Sequence, residues 1–456
     1  MSEHVVVVGA DAAGMSAAHQ MLRTAGRTGR ELAVTVLEQG IHTSYSACGI
    51  PYWMAGDVDS ADELVARTAE QHRDAGIDLR FGARVAGVDL TAREVALEGG
   101  ERVGFDQLVV ATGAHPIVPG WALGADGELP AGVRPVKTLD DGQWWIDRFA
   151  EAGPGAHVVV VGGGYIGLEV AEAALRRGHG VTLVTRSRVM SSLEPELSER
   201  VALALCDAGV EVVLDADVTG LVVGPDGAVT GVRWDGGARD CDLLVLALGV
   251  VPATEFLDGC ELSRGEKGAL RPDPHGRVAE GVWAAGDCCA VYRRLAADSV
   301  FRPLGTHANK MGRALGDSLA GGSLAFEGVL ETAITRFAAG GQHVEVARTG
   351  LSREDAVAAG YDPVAVVTEG STASGYMDEA DPVAIWVMAD RSSRRLLGVQ
   401  VVGGRGAGKR IDTAAAVLWM EGTVDDLAWM DLSYSPPFST TWEVLGVAAR
   451  RTAERM

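Results

Sequence analysis

Two eleven-residue stretches constrain this 456-residue chain more than any other feature: residues 4–14, HVVVVGADAAG, and residues 157–167, HVVVVGGGYIG. Each is a β-branched run that ends on glycine and opens onto apolar residues at helical spacing, MSAAHQMLRTAG in the first copy and LEVAEAALRRGHG in the second. A further strand-like run follows, LAVTVLE and VTLV. The pattern is a β-α-β unit that occurs twice, 153 residues apart from Gly9 to Gly162. A second pair echoes it. FDQLVVATG (105–113) and CDLLVLALG (241–249) each carry an Asp, an apolar run and a closing glycine, and Pro116 and Pro252 follow. The duplication predicts an α/β chain with two nucleotide-binding units. From about Phe326 the pattern changes to strand-like runs, HVEVAR, PVAVVTE, VAIWVMAD and LLGVQVV, with helices from Arg410 and Val424. An α+β domain with an antiparallel sheet is expected there.

Composition narrows the function classes. Lys and Arg number 40 against 62 Asp and Glu, a formal charge of −22, which opposes nucleic acid or an anionic membrane as partner. Six cysteines without a CxxC pair, and ten histidines without ligand spacing, predict neither a disulphide framework nor a metal site. The N-terminal MSEHVVVV lacks a cationic leader and no run of about 18 apolar residues occurs, so a cytoplasmic protein is expected. Glycine, 60 residues, is roughly 13% of the chain against a usual share of about 7%. Its clusters end the apolar runs.

Glycines at such strand-to-helix turns let the backbone approach a pyrophosphate at a helix N-terminus, where free N–H groups favour an anion. Gly162, Gly164 and Gly167 supply the complete GxGxxG; the first copy keeps Gly9 and Gly14 and has Asp11 in the middle. The first unit's second strand ends in Glu38, which suits a ribose 2′-OH and so an unphosphorylated adenosine such as that of FAD. The second reads VTLVTRSR, placing Arg186 and Arg188 where a 2′-phosphate would be received, and NADPH is expected ahead of NADH. Residues 44–52, SYSACGIPY, put Cys48 between small residues before a Gly-Ile-Pro helix start, where a helix N-terminus can favour a thiolate; a lone cysteine is also compatible with an inert packed residue.

These motifs, with ATG at 111–113, LGVVP at 248–252 and WAAGD at 283–287, resemble the pyridine nucleotide-disulphide oxidoreductases over essentially the whole chain. The single-cysteine SxxxCGxPY narrows the resemblance to the branch of coenzyme A disulphide reductases, NADH oxidases and NADH peroxidases. The resemblance implies an FAD domain in two parts (1–120 and 253–325), an NAD(P) domain (121–252) between them, and a C-terminal dimerisation domain (326–456). It implies that Gly9, Gly14, Glu38, Ala111, Thr112, Gly113 and Asp287 hold FAD, and that Gly162, Gly164 and Gly167 hold the NAD(P) pyrophosphate. Tyr165 resembles the aromatic gate over the flavin, Glu169 the acid that orients nicotinamide, and Cys48 the redox-active thiol. Position 43 is Thr43 where classical members carry a second cysteine, so a mixed disulphide or a sulphenic acid replaces an internal bridge.

Oxidases and peroxidases of the branch carry a histidine in the first glycine loop, where this chain has Ala12. Coenzyme A disulphide reductases use two C-terminal tyrosines, which Tyr376 (SGYMDEA) and Tyr434 (SYSPPFS) match; Gln20, Arg23 and Ser44 resemble residues of the coenzyme A channel, whereas Ala47 departs from an asparagine common beside the cysteine. The expected activity is therefore FAD-dependent, NAD(P)H-driven reduction of a low-molecular-weight disulphide, coenzyme A disulphide or persulphide first, by a homodimer. The alternatives are an oxidase or peroxidase working through a sulphenic acid, and a flavoprotein redox sensor. Cys288, Cys289, Trp144 and Trp145 read as packing, the segment around His307, Asn309, Lys310 and Arg313 as a helix over the flavin, and Arg450, Arg451 and Arg455 as a solvated tail.

Overall fold

The structure, a computed structural model, describes residues 2–124 and 126–456. Its first sheet orders the strands Arg277–Ala279, Val282–Ala284, Gln107–Val110, Glu3–Val8, Leu32–Leu37 and Ile77–Arg80, all neighbours parallel except the outer pair Arg277–Ala279 and Val282–Ala284. The second, wholly parallel sheet runs Glu211–Val213, Gly180–Val184, His157–Val161, Leu243–Leu246, Val133–Pro135. The two valine runs are the central strands, and Val5, Val6, Val7, Val158, Val159 and Val160 are wholly buried, as a sheet covered on both faces demands.

The duplication extends to single atoms. Gly9 N–H donates to Leu37 O and Gly162 N–H to Val184 O, both at 2.8 Å. The repeated Asp that opens each third strand ties it to the first, since Asp106 and Asp242 accept the backbone N–H of His4 and His157, both at 2.7 Å. The two histidines then meet Thr35 and Thr182 at 2.9 and 2.8 Å.

The third sheet is antiparallel, ordered Ala333–Phe337, Val344–Gly350, Leu396–Gly403, Pro382–Asp390, Pro363–Ser371. Helices Ile411–Trp419 and Val424–Trp429 begin within a residue of the expected places. The C-terminus departs from expectation. Residues Val444–Ala453 form a helix whose Leu445, Ala448 and Ala449 are buried, so Arg450 and Arg451 ride on a docked helix instead of a solvated tail.

Two packing contacts place the site. Helix Gly305–Leu319 lies against helix Ala12–Thr28 backbone to backbone; a Cβ on Gly312 would stand 2.2 Å from Ala13 O, and one on Gly316 2.3 Å from Ala17 O. The short helix Ile50–Ala55, which follows Cys48, presses Ile50 and Trp53 onto Gly142 of helix Leu139–Ala152, where a Cβ would lie 2.9 Å from either side chain. Trp145, on that same helix, is wholly buried, as its packing role requires.

Candidate functional site

The first glycine loop forms one end of a cavity of about 660 Å³. Gly9 has φ +106, and a Cβ there would lie 2.3 Å from Ala111 O; Gly14 sits beneath, 1.9 Å in the same sense from Gly9 O, so both must be glycine to seat the helix on the sheet. Gly9, Glu38, Ala111, Thr112, Gly113 and Asp287 all line the cavity, while Gly14 supports it from behind. Glu38 Oε2 accepts the Ala10 amide at 3.0 Å and Oε1 the Gly40 amide at 2.8 Å, which holds the carboxylate at the rim. Thr112 Oγ1 donates to Ala253 O at 2.6 Å and fixes the far wall. Asp287 is raised above the usual carboxylate range by burial, against the pull of Lys137, whose Nζ is 3.9 Å away. Ala308 from helix Gly305–Leu319 adds to the lining beside the buried His307. Helix Ala12–Thr28 has no side-chain cap, so its first-turn N–H groups stay available to an anion in the cavity. The volume, the glycine cradle and the free amides fit the pyrophosphate half of a dinucleotide.

The second loop repeats the cradle. Gly162 has φ +115 and Gly167 packs against its carbonyl, while a Cβ on Gly164 would meet nothing within 4 Å, leaving an open approach to the uncapped helix Tyr165–Arg176. Arg186 and Arg188 are exposed on the loop after strand Gly180–Val184. The hydroxyl of Tyr165 is buried and makes no hydrogen bond. Glu169, one turn on, is pushed up to about 7, chiefly by burial. Thr335 Oγ1 donates to its Oε1 at 2.6 Å, and the Tyr52 hydroxyl also bonds to it. Glu169 therefore joins the second loop's helix, the cysteine helix and the third sheet.

Cys48 lies in a single helical turn, Ala47–Gly49, directly before helix Ile50–Ala55, with its side chain open to solvent. Its surroundings act against the expected thiolate. Desolvation by the surrounding protein, then the Glu169 and Asp287 carboxylates, push the thiol up, and Lys137 opposes them. The same groups place Cys48 within electrostatic reach of the cavity wall. Thr43, where a second cysteine would stand, is buried and donates to Ala10 O at 2.6 Å. Cys288 and Cys289 are buried and unbridged, Sγ to Sγ 3.7 Å, in keeping with packing.

Ser44 sits in the left-handed region at φ +48, held by a chain of side chains that no spacing in the sequence announces. Its Oγ meets His72 Nε2 at 3.0 Å, His72 Nδ1 meets His19 Nε2 at 2.8 Å, and Arg67 Nη1 reaches the His19 ring at 3.2 Å. A guanidinium only donates, so with Arg67 donating to His19 Nδ1, at 3.3 Å, His19 Nε2 donates to His72 and His72 to Ser44, and in that tautomer the Ser44 O–H is free to donate outward. His72 is wholly buried, and burial lowers its pKa to about 4, so it stays neutral. Arg23 is exposed on the same helix as His19, and its Nη1 lies 3.4 Å from Gln20 Oε1. Gln20 itself is buried and turned inward, donating to Thr24 Oγ1 at 3.0 Å and to Asp317 Oδ1 at 3.3 Å, and so binds helix to helix.

Tyr376 and Tyr434 lie on two neighbouring loops of the C-terminal region. Their loops are tied by Ser374 N–H to Pro436 O at 2.9 Å and by Arg410, which donates to Thr372 O and Phe438 O. Tyr376 is 75% exposed and Tyr434 48% exposed, amid exposed Trp429, Phe438 and Trp442. Among the described residues no cluster of three or more His, Cys, Asp or Glu is arranged to hold a metal ion, and no helix is long and apolar enough to cross a membrane.

Comparison with known proteins agrees with this geometry. A sequence model of the pyridine nucleotide-disulphide oxidoreductases matches residues 3–310, and one of their dimerisation domain matches residues 341–444. An NAD(P)H coenzyme A polysulfide/persulfide reductase of Pyrococcus horikoshii is 34% identical, over 99% of this chain and 98% of its own. An NADH oxidase of Methanocaldococcus jannaschii is 28% identical over 99% of both chains. The structure of an NAD-dependent persulfide reductase from A. fulgidus superposes with a TM-score of 0.91 at 30% identity, covering 99% of this chain and 83% of that one.

Proposed function

The chain belongs to the pyridine nucleotide-disulphide oxidoreductase family, and we propose that within it this protein is an FAD-dependent NAD(P)H reductase of coenzyme A disulphide or coenzyme A persulphide. The observation that carries the reading is the solvent-open Cys48, with Thr43 in place of a resolving cysteine, set within reach of a dinucleotide-sized cavity. A thiol in that position has to form its disulphide with a small external partner.

Gly9, Glu38, Ala111, Thr112, Gly113 and Asp287 would hold FAD, with Gly14 seating the helix; Gly162, Gly164 and Gly167 would hold the NAD(P) pyrophosphate. The exposed pair Arg186 and Arg188 supports NADPH ahead of NADH, and Tyr165 with Glu169 would position the nicotinamide. Bound FAD supplies the relay of two electrons from NAD(P)H to the Cys48 sulphur. The Cys48 thiolate attacks one sulphur of the substrate S–S bond and the other sulphur leaves as a thiolate that takes up a proton; two electrons and a second proton then cleave the resulting mixed disulphide, which returns the Cys48 thiolate and releases the attacked half of the substrate as a thiol. Ser44 would offer its hydroxyl to the substrate and Arg23 would receive its phosphate, while Gln20 braces the helix that carries Arg23. Tyr376 and Tyr434 would protonate the leaving thiolate across the interface of a homodimer, for which the exposed aromatic face around them is the support. All six cysteines are unpaired, which suits the reducing cytoplasm.

The test is a steady-state screen of coenzyme A disulphide, coenzyme A persulphide and oxygen, with NADPH and with NADH, on native protein and Cys48→Ser. Cys48→Ser keeps its flavin spectrum and loses disulphide and persulphide reduction by at least about a thousandfold. Full disulphide turnover by that variant rejects the reading, and oxygen consumed with stoichiometric water transfers it to the oxidases.

A further inference from the structure

The first glycine loop departs from the second in its middle position, where Asp11 replaces the counterpart of Gly164. The backbone does not compel the difference. Asp11 (φ −113, ψ −152) and Gly164 (φ −85, ψ −165) share one extended conformation, and the space around Gly164 is open to a side chain. In the first loop that space holds a carboxylate, which the Tyr45 and Ala12 amides approach. It stands at the head of helix Ala12–Thr28 without forming a cap hydrogen bond, and its Oδ1 is buried without a partner. Asp11 also lines the 660 Å³ cavity.

The charges around it make an ionised Asp11 costly. Burial is the leading cost and Glu38 adds a like charge, while the Tyr45 and Ala12 amides and Lys137 favour the ionised form without offsetting burial; Cys48 lies within its field. Asp287 and Asp141 line the same cavity; Asp141 is held by Arg134 Nε at 2.7 Å and by the Lys137 and Thr138 amides, while Asp287 shares Lys137. Lys137 thus faces both Asp11 and Asp287, Arg84 also lines the cavity, and the middle position of a GxGxxG loop is where a doubly charged pyrophosphate comes closest. A carboxylate beside a phosphate repels it, whereas a carboxyl O–H donates to it. Burial already raises Asp11 to about 6, so the proton is available near neutrality.

We infer that Asp11 enters the FAD complex as the neutral acid, its O–H given to the pyrophosphate, so that FAD binding takes up one proton from solvent. The inference rests on the placement of FAD at the first loop proposed above. Its sign follows from linkage: a group protonated in the complex and titrating in the free protein makes binding tighter at low pH.

The experiment measures the FAD dissociation constant of the full-length protein, stripped of flavin and refilled, by quenching of flavin fluorescence from pH 6 to pH 8. Native Kd rises about tenfold per pH unit above the free pKa, roughly 50-fold over the range. Asp11→Asn gives a flat profile and binds more tightly than native at pH 8. Calorimetry in two buffers of different ionisation enthalpy at pH 7.5 reads close to one proton taken up by native protein and none by Asp11→Asn. Asp11→Gly, which gives the first loop the second loop's residue, guards against misfolding of the asparagine variant. A flat native profile, or an effect of Asp11→Asn equal at every pH, overturns the protonated acid. So does FAD affinity that EDTA abolishes, which would mark a bridging divalent cation. If both variants keep the native Kd at every pH, the placement of FAD at this loop fails instead.

Discussion

Glu169 is a carboxyl that three distant segments have desolvated and then stopped short of neutralising. Thr335 and Tyr52 each give it one hydrogen bond, Glu172 adds a like charge, and burial outweighs both bonds, so the pKa rises from 4.5 to about 7. Because the folded value lies above the unfolded one, the site's contribution to stability is complete below about pH 4.5 and is lost as pH climbs through 7. Glu169→Gln keeps an acceptor for Thr335 and cannot ionise. At pH 8 the flavin-free variant is more stable than native by about 2–3 kcal/mol, and at pH 5 the two are nearly equal. Thermal melts at both pH values check this, and a Tm difference that ignores pH would refute it. The same substitution removes the leading charge that raises Cys48, so alkylation of Cys48 by iodoacetamide at pH 8 becomes faster than in native protein.

At the scale of elements, the seam between helices Ala12–Thr28 and Gly305–Leu319 sets the shape of the cavity wall, because Ala13 and Ala308 from either side both line it. Gly312→Ala drives a methyl to 2.2 Å from Ala13 O, and with backbone on both sides neither partner can turn away. The expected cost is about 2–3 kcal/mol in chemical denaturation, with weaker flavin retention. Gly26→Ala, in the exposed part of the first helix with nothing within 4 Å, stabilises by about 0.5–1 kcal/mol instead. Equal effects would show that the seam is not close-packed. The contrast also marks what a sequence can convey. Gly9, Gly14, Gly162 and Gly167 are legible because turn, strand and helix lie within a dozen residues of one another, and the twofold occurrence of HVVVVG makes the pattern hard to misread. Gly312 gives no such sign, since its partner Ala13 is about 300 residues away. His72 and Ser44 are 28 residues apart and His19 and His72 are 53 apart, joined through a loop and a short helix whose packing no periodicity encodes. Gln20 was legible as a helix residue and not as a buried one, because its partner Asp317 comes from the far side of the chain. The shift of Cys48 away from a thiolate likewise depends on Glu169 and Asp287, carboxyls brought up by separate folding units.

On the scale of the whole molecule, the proposed proton donors for the leaving thiolate stand on a surface that a single chain leaves bare. Tyr434 and Tyr376 lie on an exposed face with Phe438, 76% exposed, Trp429, 69%, and Trp442, 53%, more aromatic surface than a solitary chain usually leaves in water. A twofold dimer covers such a face on both copies at once and can bring each tyrosine pair to the other copy's Cys48. This arrangement has a consequence that no single-chain site shares. Cys48→Ser lacks the nucleophile and Tyr434→Phe lacks the acid, so either homodimer is strongly impaired. When the two variants are co-expressed with different tags, random pairing makes half of the dimers mixed. In a mixed dimer with the tyrosine acting across the interface, one site combines the intact cysteine of one chain with the intact tyrosine of the other. Activity then returns to about one quarter of native overall, and to about one half in the doubly tagged fraction. If Tyr434 served its own chain, every site in the mixed dimer would still lack one group, and purification of that fraction would recover nothing.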